Sequence, residues 1–179
     1  MRMTTAEYLN TPESLTPQEL IFGEWHVADS PLTPHQRAVG RLFRALHEFV
    51  EAHALGEAWV SPLDVILDAD RALILQPDVL FVSNERAHIV TDRLRGAPDL
   101  VVEVLSPNPR VGWTEQRIGL YARYGVRELW IVRLLERHVE VLSFAGGTVS
   151  ARRPFARDER IASEVLPGFD RTPASILGY

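Results

Sequence analysis

Apolar residues along the chain follow two patterns: short runs of strand length and longer stretches at helical spacing. The spacing over residues 33–53 predicts a long amphipathic helix, and a second helix is predicted over residues 112–124, where Gly125 ends it. Between these helices lie short runs rich in Val, Leu and Ile, which predict strands. The predicted strands and hairpins cover residues 19–28, 59–67, 73–82, 100–105, 127–144 and 148–152. A short last helix is expected in the tail, over residues 163–178.

The strand predicted at residues 100–105 contains one carboxylate in an otherwise apolar run. Every residue from Leu100 to Leu105 is Val or Leu except Glu103. Such a run is typical of a strand that is covered on both faces. An ionised carboxylate buried there without a partner costs several kcal/mol. We therefore expect Glu103 to have a cation beside it, a raised pKa, or a position at an open edge of the sheet.

The second helix carries the complementary anomaly, a single charge on its apolar face. Trp113, Arg117, Leu120, Tyr121 and Tyr124 share one face of that helix. Arg117 is the only charged residue of this stripe. We expect it to point inward, toward the sheet and its carboxylates.

Composition limits the kinds of partner that the chain can bind. At 179 residues the chain has the length of one domain, here taken as residues 1–179, and its net charge is −5. A protein that holds duplex DNA through phosphate contacts usually shows a basic footprint, so any nucleic-acid surface here must be local. All 19 basic residues are Arg, and the absence of Cys excludes disulfides and thiolate zinc sites. Without an apolar run of bilayer length or a signal-like start, we expect a cytoplasmic protein without membrane contact.

Four short stretches of the sequence resemble one family of nucleases. They are Gln76-Pro77-Asp78-Val79, the run from Ala97-Pro98-Asp99 to Ser106-Pro107, Tyr121-Ala122-Arg123-Tyr124-Gly125-Val126, and Glu128-Leu129-Trp130-Ile131-Val132. Their order is similar to that in the Uma-type endonucleases of bacteria, within the PD-(D/E)xK nuclease superfamily. This resemblance extends over residues 5–168. It implies an α/β fold with a restriction-endonuclease-like core, in which helices flank a central mixed β-sheet, and metal-dependent hydrolysis of DNA.

The resemblance also implies a set of site residues. Asp78 and Glu103 would be ligands of Mg²⁺, or of Mn²⁺ in its place, and the backbone carbonyl of Val104 would be a further ligand. Glu24 occupies the position of a Glu that commonly follows Gly in the family, although a solvent-facing hairpin residue is an equal alternative. His35, at the start of the first helix, would contact a substrate phosphate or orient an acid. It could equally bond a backbone carbonyl.

The sequence departs from this family at the catalytic cation. The superfamily Lys two residues after the acid is Leu105 here, and the Asp and Lys of Uma-type sequences are Trp113 and Arg117. Arg cannot act as a general base, because its pKa stays above about 12. It can still bind the scissile phosphate, so Arg117 stays a candidate catalytic residue.

Two readings besides an active nuclease stay open. In the first, the fold persists without chemistry and Glu103 and Arg117 form a buried ion pair. In the second, the protein is an interaction module that forms homo-oligomers through Trp25, residues 86–95 and the tail. For an active nuclease a homodimer is expected, because cutting both strands of a duplex suits two-fold symmetry.

Overall fold

The computed structural model describes residues 2–12, 14, 16–28, 30–105 and 113–178, and these form a mixed α/β structure. The helices are α1 (Thr5–Leu9), α2 (Thr33–Ala52), α3 (Trp113–Tyr124) and α4 (Pro173–Leu177), with a 3₁₀ helix at Asn84–Ile89. The strands are β1 (Gln18–Ile21), β2 (Glu24–Val27), β3 (Gly56–Val60), β4 (Val65–Asp68), β5 (Leu73–Leu75), β6 (Val79–Ser83), β7 (Leu94–Arg95), β8 (Leu100–Leu105), β9 (Glu128–Arg133), β10 (His138–Ala145) and β11 (Thr148–Ala156). Both long helices therefore match their predictions, except that Gly112 lies outside the described residues.

The strands form two mixed sheets. The larger has six strands in the order β11-β10-β9-β8-β6-β3, and the smaller has five in the order β2-β1-β5-β4-β7. Within the larger sheet β8 and β9 are parallel, whereas the remaining neighbours are antiparallel. The expected central mixed sheet is thus present, and a second sheet packs beside it.

Two prolines explain why the chain enters both sheets. Residues 59–67 and 73–82 were each expected to form one continuous strand, and this was wrong. The first breaks around Pro62 into β3 and β4, and the second breaks around Pro77 into β5 and β6. Proline lacks the N–H that a central strand donates, so the ladder stops at both places. The β3–β6 pair joins the larger sheet and the β4–β5 pair the smaller, which leaves Asp78 at the junction.

The two faces of β8 lie in different parts of the core. Leu100, Val102 and Val104 pack with the apolar stripe of α2. Val101 packs on the other side, with Ile118 and Tyr121 of α3 and with residues of the smaller sheet. Because side chains alternate along a strand, Glu103 shares the face of Val101. Its side chain is therefore directed toward α3 and the smaller sheet.

The helices of the described ranges also differ from a membrane span. None of them combines the length and the apolar character that crossing a membrane requires.

Candidate functional site

Four polar side chains meet where β8, α3 and the smaller sheet come together. Glu19 of β1, Glu103 of β8, and Arg117 and Tyr121 of α3 form one hydrogen-bonded group, the Arg117 cluster. Nη1 of Arg117 donates to both carboxylate oxygens of Glu19, at 2.6 and 2.8 Å. Its Nη2 and Nε donate to Oε1 of Glu103, at 2.5 and 3.1 Å. The inward direction predicted for Arg117 and its pairing with Glu103 are thus present in the structure.

The hydroxyl group of Tyr121 bridges Arg117 and Glu103. The hydroxyl group accepts a hydrogen bond from Nη2 of Arg117 at 2.9 Å and donates its own proton to Oε1 of Glu103. Because Tyr121 lies one helical turn after Arg117, both side chains leave the same face of α3. Three donor atoms of α3 therefore fix one oxygen of Glu103.

Burial sets the protonation of the cluster. Burial raises the pKa of Glu103 to about 7, although the charge of Arg117 opposes this shift. Burial alone would lower the pKa of Arg117, but Glu103 and Glu19 raise it well above its ordinary value. Burial also raises the pKa of Tyr121, so its hydroxyl keeps the proton that it donates. Glu103 is thus the member of the cluster that gains or loses a proton near neutral pH.

Asp78 lies beside Glu103, at the place where β6 begins. The pairing of β6 with β8 ends at Val79 and Val102, so Val104 lies beyond the last paired residue. The N–H of Val104 donates instead to Oδ2 of Asp78 at 2.8 Å. The charge of Asp78 contributes to the raised pKa of Glu103, because the two carboxylates are near neighbours.

His35 contacts the same edge from the first turn of α2. Its Nε2 lies 3.3 Å from Oδ2 of Asp78. Burial lowers the pKa of His35, but the carboxylate of Asp78 and the nearby backbone of Val104 raise it above its ordinary value. The imidazole therefore holds one oxygen of Asp78 in place.

The remaining oxygens of the two acids suit a divalent ion. Among the described residues, hydrogen bonds and ion pairs reach only Oδ2 of Asp78 and only Oε1 of Glu103. The oxygens that could bind an ion are therefore Oδ1 of Asp78, Oε2 of Glu103 and the carbonyl oxygen of Val104. Mg²⁺ prefers hard oxygen ligands of this kind. No group of three or more His, Asp or Glu side chains within the described ranges is arranged to hold a metal. A site of two carboxylates, one carbonyl and water fits that finding, because Mg²⁺ keeps several of its waters in proteins.

Glu24 does not join these residues. The acid that the β1–β2 hairpin contributes to the site is Glu19, whereas the sequence had suggested Glu24. The Glu24 carboxylate is 65% exposed, and its Oε2 lies 4.0 Å from Nε2 of His26. Both acids lie on the same face of the β1–β2 hairpin, because His26 pairs with Glu19 and Ile21 pairs with Glu24. No pattern in the sequence singles out Glu19, because a polar residue is ordinary in a short hairpin strand.

Gln76 holds Glu19 against the cluster. Its backbone N–H donates to Oε1 of Glu19 at 2.8 Å, and its side-chain oxygen accepts the N–H of Gln18 at 3.0 Å. Its side-chain amide donates to Asp64 at 2.8 Å. One residue thereby ties β1 to the segment that leads into Asp78.

The buried acid Asp99 stabilises the fold through contacts within the molecule. Asp99 accepts the N–H of Ser83 and pairs with Arg86 and Arg127. Arg86 also donates to the carbonyls of Ala97 and Gly125, so this arginine of the suggested 86–95 interface is engaged within the molecule.

Glu128 fastens the tail to β9. It accepts hydrogen bonds from the indole of Trp130, the hydroxyl of Ser163 and the N–H of Glu164, at 2.5 to 2.8 Å. All of these partners belong to the protein itself, which makes Glu128 a structural residue.

Comparisons with known proteins identify the family of the chain and its fold. The model of the Uma2 family, described as “Putative restriction endonuclease”, matches residues 5–174. The crystal structure of a “putative nuclease” from Anabaena variabilis superposes with a TM-score of 0.80, with 98% of each chain covered and 17% sequence identity. No curated protein matches the chain. The similarity of structure confirms the predicted α/β fold with a restriction-endonuclease-like core.

Proposed function

Because the chain belongs to the Uma2 family, we propose that it is a metal-dependent endonuclease that hydrolyses phosphodiester bonds of DNA. The observation that carries this proposal is the meeting of Asp78, Glu103 and the Val104 backbone at the end of the β6–β8 ladder. Asp78 immediately precedes β6, and Glu103 lies on the neighbouring strand β8. Each acid has one oxygen held by hydrogen bonds, so its other oxygen can bind an ion.

Asp78, Glu103 and the Val104 carbonyl would hold Mg²⁺ or Mn²⁺. A bound ion of this kind supplies an activated water and screens the charge that develops on the transferred phosphate. The chain's own part is to orient the ligands. His35 fixes Oδ2 of Asp78, and Arg117 with Tyr121 fixes Oε1 of Glu103.

Arg117 has a different role from the lysine of the superfamily. Its three nitrogens are all engaged, with Glu19, Glu103 and Tyr121. Its charge therefore favours the ionised form of Glu103 against the effect of burial, and its hydrogen bonds hold the carboxyl group, so Arg117 is a positioning residue. Arg117 cannot accept the proton of an attacking water, because an arginine stays protonated. That proton would pass to solvent, because water bound to an ion has a lowered pKa.

The same observation favours a second function, that of a binding protein without catalysis. A guanidinium that is bound on every nitrogen offers no free donor to a phosphate, and the chain contains no Lys that could replace it. In that case the Arg117 cluster is a structural ion pair on an inherited nuclease fold, and the protein binds partners without cutting DNA.

Calorimetric titration of Mg²⁺ and Mn²⁺ separates the two functions. We expect heat of binding from the wild-type protein and none from Asp78→Asn or Glu103→Gln. Asp92→Asn is the matched control, since Asp92 is an exposed acid that pairs with Arg95, and it should bind like the wild type. Equal heats from wild type and Glu103→Gln would overturn the metal site.

Nicking of supercoiled plasmid tests the chemistry. We expect Asp78→Asn to lose all cleavage and to keep its fold, because removing one charge from a pair of acids relieves their repulsion. Cleavage by Asp78→Asn at the wild-type rate would show that Asp78 is not a ligand.

A further inference from the structure

Two aromatic rings lie against the Arg117 cluster, and the proposed chemistry gives them no role. The rings of His26 and Trp113 are 5.4 Å apart between centroids and tilted by 49°. The guanidinium carbon of Arg117 lies 5.8 Å from the centroid of the Trp113 ring. The His26 side chain is 31% exposed and Trp113 is half-buried, so this aromatic pair reaches solvent.

The topology places the aromatic pair on the same face of the β1–β2 hairpin as Glu19, next to the Arg117 cluster. In the β1–β2 hairpin His26 is directly opposite Glu19, so the two side chains leave the same face. Trp113 is the first residue of α3 and lies one helical turn before Arg117. Trp25, the neighbour of His26, leaves the opposite face of β2 and is 48% exposed.

Charge near the site does not favour binding through phosphates. Glu19 and Glu103 both pair with the guanidinium of Arg117, Asp78 adds a third acid beside Glu103, and the whole chain carries a net charge of −5. Nucleic acid held by phosphate contacts needs local positive charge, which releases counterions. Stacking on aromatic rings supplies affinity without that charge, and it tolerates any base.

We propose that the aromatic pair is a stacking site for an unpaired DNA base, and that the substrate is therefore single-stranded or locally opened DNA. This inference rests on the proposed function for its choice of DNA. A base within a duplex has both faces covered by its neighbours, so it must leave the stack before a protein ring can contact it. An unpaired base meets the aromatic pair without that cost and brings its backbone beside Asp78 and Glu103.

Binding measured in EDTA tests the stacking site apart from any metal or cleavage. The probe is a fluorescein-labelled oligothymidylate, compared by anisotropy with the same strand in a duplex. We expect the wild type to bind the single strand more tightly than the duplex, with little dependence on salt. Trp113→Leu should weaken single-strand binding by roughly ten- to a hundredfold, the usual effect of losing one stacked base.

Matched variants exclude a loss of folding. Trp113→Phe keeps an aromatic ring and should bind within about threefold of the wild type. Trp25→Leu removes an exposed indole from the other face of the same strand and should leave binding unchanged. His26→Ala repeats the test from the second ring, and its folding can be checked independently by circular dichroism.

The outcomes separate this inference from the nuclease proposal. Equal affinity for duplex and single strand, or unchanged binding by both Trp113→Leu and His26→Ala, would overturn the stacking site and leave metal-dependent nicking untouched. Single-strand binding that both variants lose, in a protein that binds no metal, would support the stacking site and overturn the nuclease.

Discussion

At the scale of single residues, Arg117 connects acids that come from two different sheets. It is 9% exposed, whereas Glu19 and Glu103 are 12% and 15% exposed. A buried pair of this kind adds little net stability while both partners are present, because desolvation of the charges offsets their attraction. Loss of one partner is costly, since it leaves an uncompensated charge in the interior. The cluster is therefore sensitive to every substitution that changes its charge balance.

Replacement of Arg117 distinguishes a metal site from a structural ion pair. Without a metal, Arg117→Ala should lower the free energy of unfolding by roughly 3–5 kcal/mol, because Glu103 and Glu19 are left unpaired. If the site binds Mg²⁺, the ion compensates Glu103 and restores part of that loss. Thermal melts with and without Mg²⁺ measure the difference.

Two further variants complete that comparison. Arg117→Lys should keep or raise metal-dependent nicking, because it returns the cation of the resembling family to its position. Arg95→Ala breaks an exposed pair with Asp92 and should leave stability almost unchanged, because solvent screens exposed ion pairs. A large Mg²⁺-independent loss for Arg117→Ala, without nicking by any variant, would leave only the structural role.

The raised pKa of Glu103 predicts how stability depends on pH. The folded chain holds a proton on Glu103 up to about pH 7, whereas the unfolded chain releases it near the ordinary value of 4.5. Between these values the folded chain binds more protons, so its free energy of unfolding falls as pH rises. The loss is on the order of 3 kcal/mol, and Glu103→Gln should not show it. Urea unfolding of both proteins from pH 4 to pH 8 measures the difference; parallel curves would contradict the shift.

The sequence predicted half of this cluster, for a physical reason. Arg117 and Glu103 each break an apolar pattern, and a buried charge demands a partner, so both could be identified from the sequence alone. Glu19 breaks no such pattern, because it lies in a short hairpin strand where a polar residue is ordinary. Its role depends on how the smaller sheet packs against α3, and that contact spans 98 residues of sequence. Local periodicity contains no information at that distance.

At the scale of elements, the approach of β3 to β6 depends on a glycine. Gly56 begins β3 with φ +149°, and a Cβ atom there would lie 2.1 Å from the carbonyl oxygen of Val82. No side chain fits at that distance, and the backbone atoms cannot move without breaking the ladder. The glycines of α2 and α3, Gly40 and Gly119, have open space around them instead.

These glycines give a paired prediction with opposite signs. Gly56→Ala should lower the melting temperature strongly, because the new methyl group separates β3 from β6. Gly119→Ala should raise stability by about 0.5–1 kcal/mol, since alanine costs less backbone entropy in a helix. Melting curves of the two variants and of Gly40→Ala provide the check. A neutral Gly56→Ala would mean that β3 and β6 are not so closely paired.

Elements interrupted by proline were the least predictable part of the fold. The apolar runs at residues 59–67 and 73–82 have the right composition for continuous strands, and composition does not show where a strand leaves one sheet for another. Pro62 and Pro77 mark both breaks, yet a proline is also compatible with the beginning of a strand. The helices were predictable because their caps and their apolar stripes are local features.

At the scale of the whole molecule, the expected homodimer is a measurable property. A duplex presents two antiparallel strands, so an enzyme that cuts both in one encounter needs two sites related by a two-fold axis. If the chain cuts both strands of a duplex in this way, analytical ultracentrifugation should give twice the chain mass of 20.2 kDa. A monomer would agree better with a single-strand substrate and with cleavage of one strand at a time.

The wide separation of the cluster's members along the chain also affects the order of folding. Glu103 and Arg117 are 14 residues apart, whereas Glu19 and Arg117 are 98 apart. Contacts that are local in sequence form early, and distant ones wait for the closure of long loops. During refolding, the pair of β8 and α3 would therefore form first, and Glu19 would join when β1 docks. The Arg117 cluster becomes complete only in this last step, so a partly folded chain would contain Glu103 and Arg117 without the contact that fixes the guanidinium from its other side.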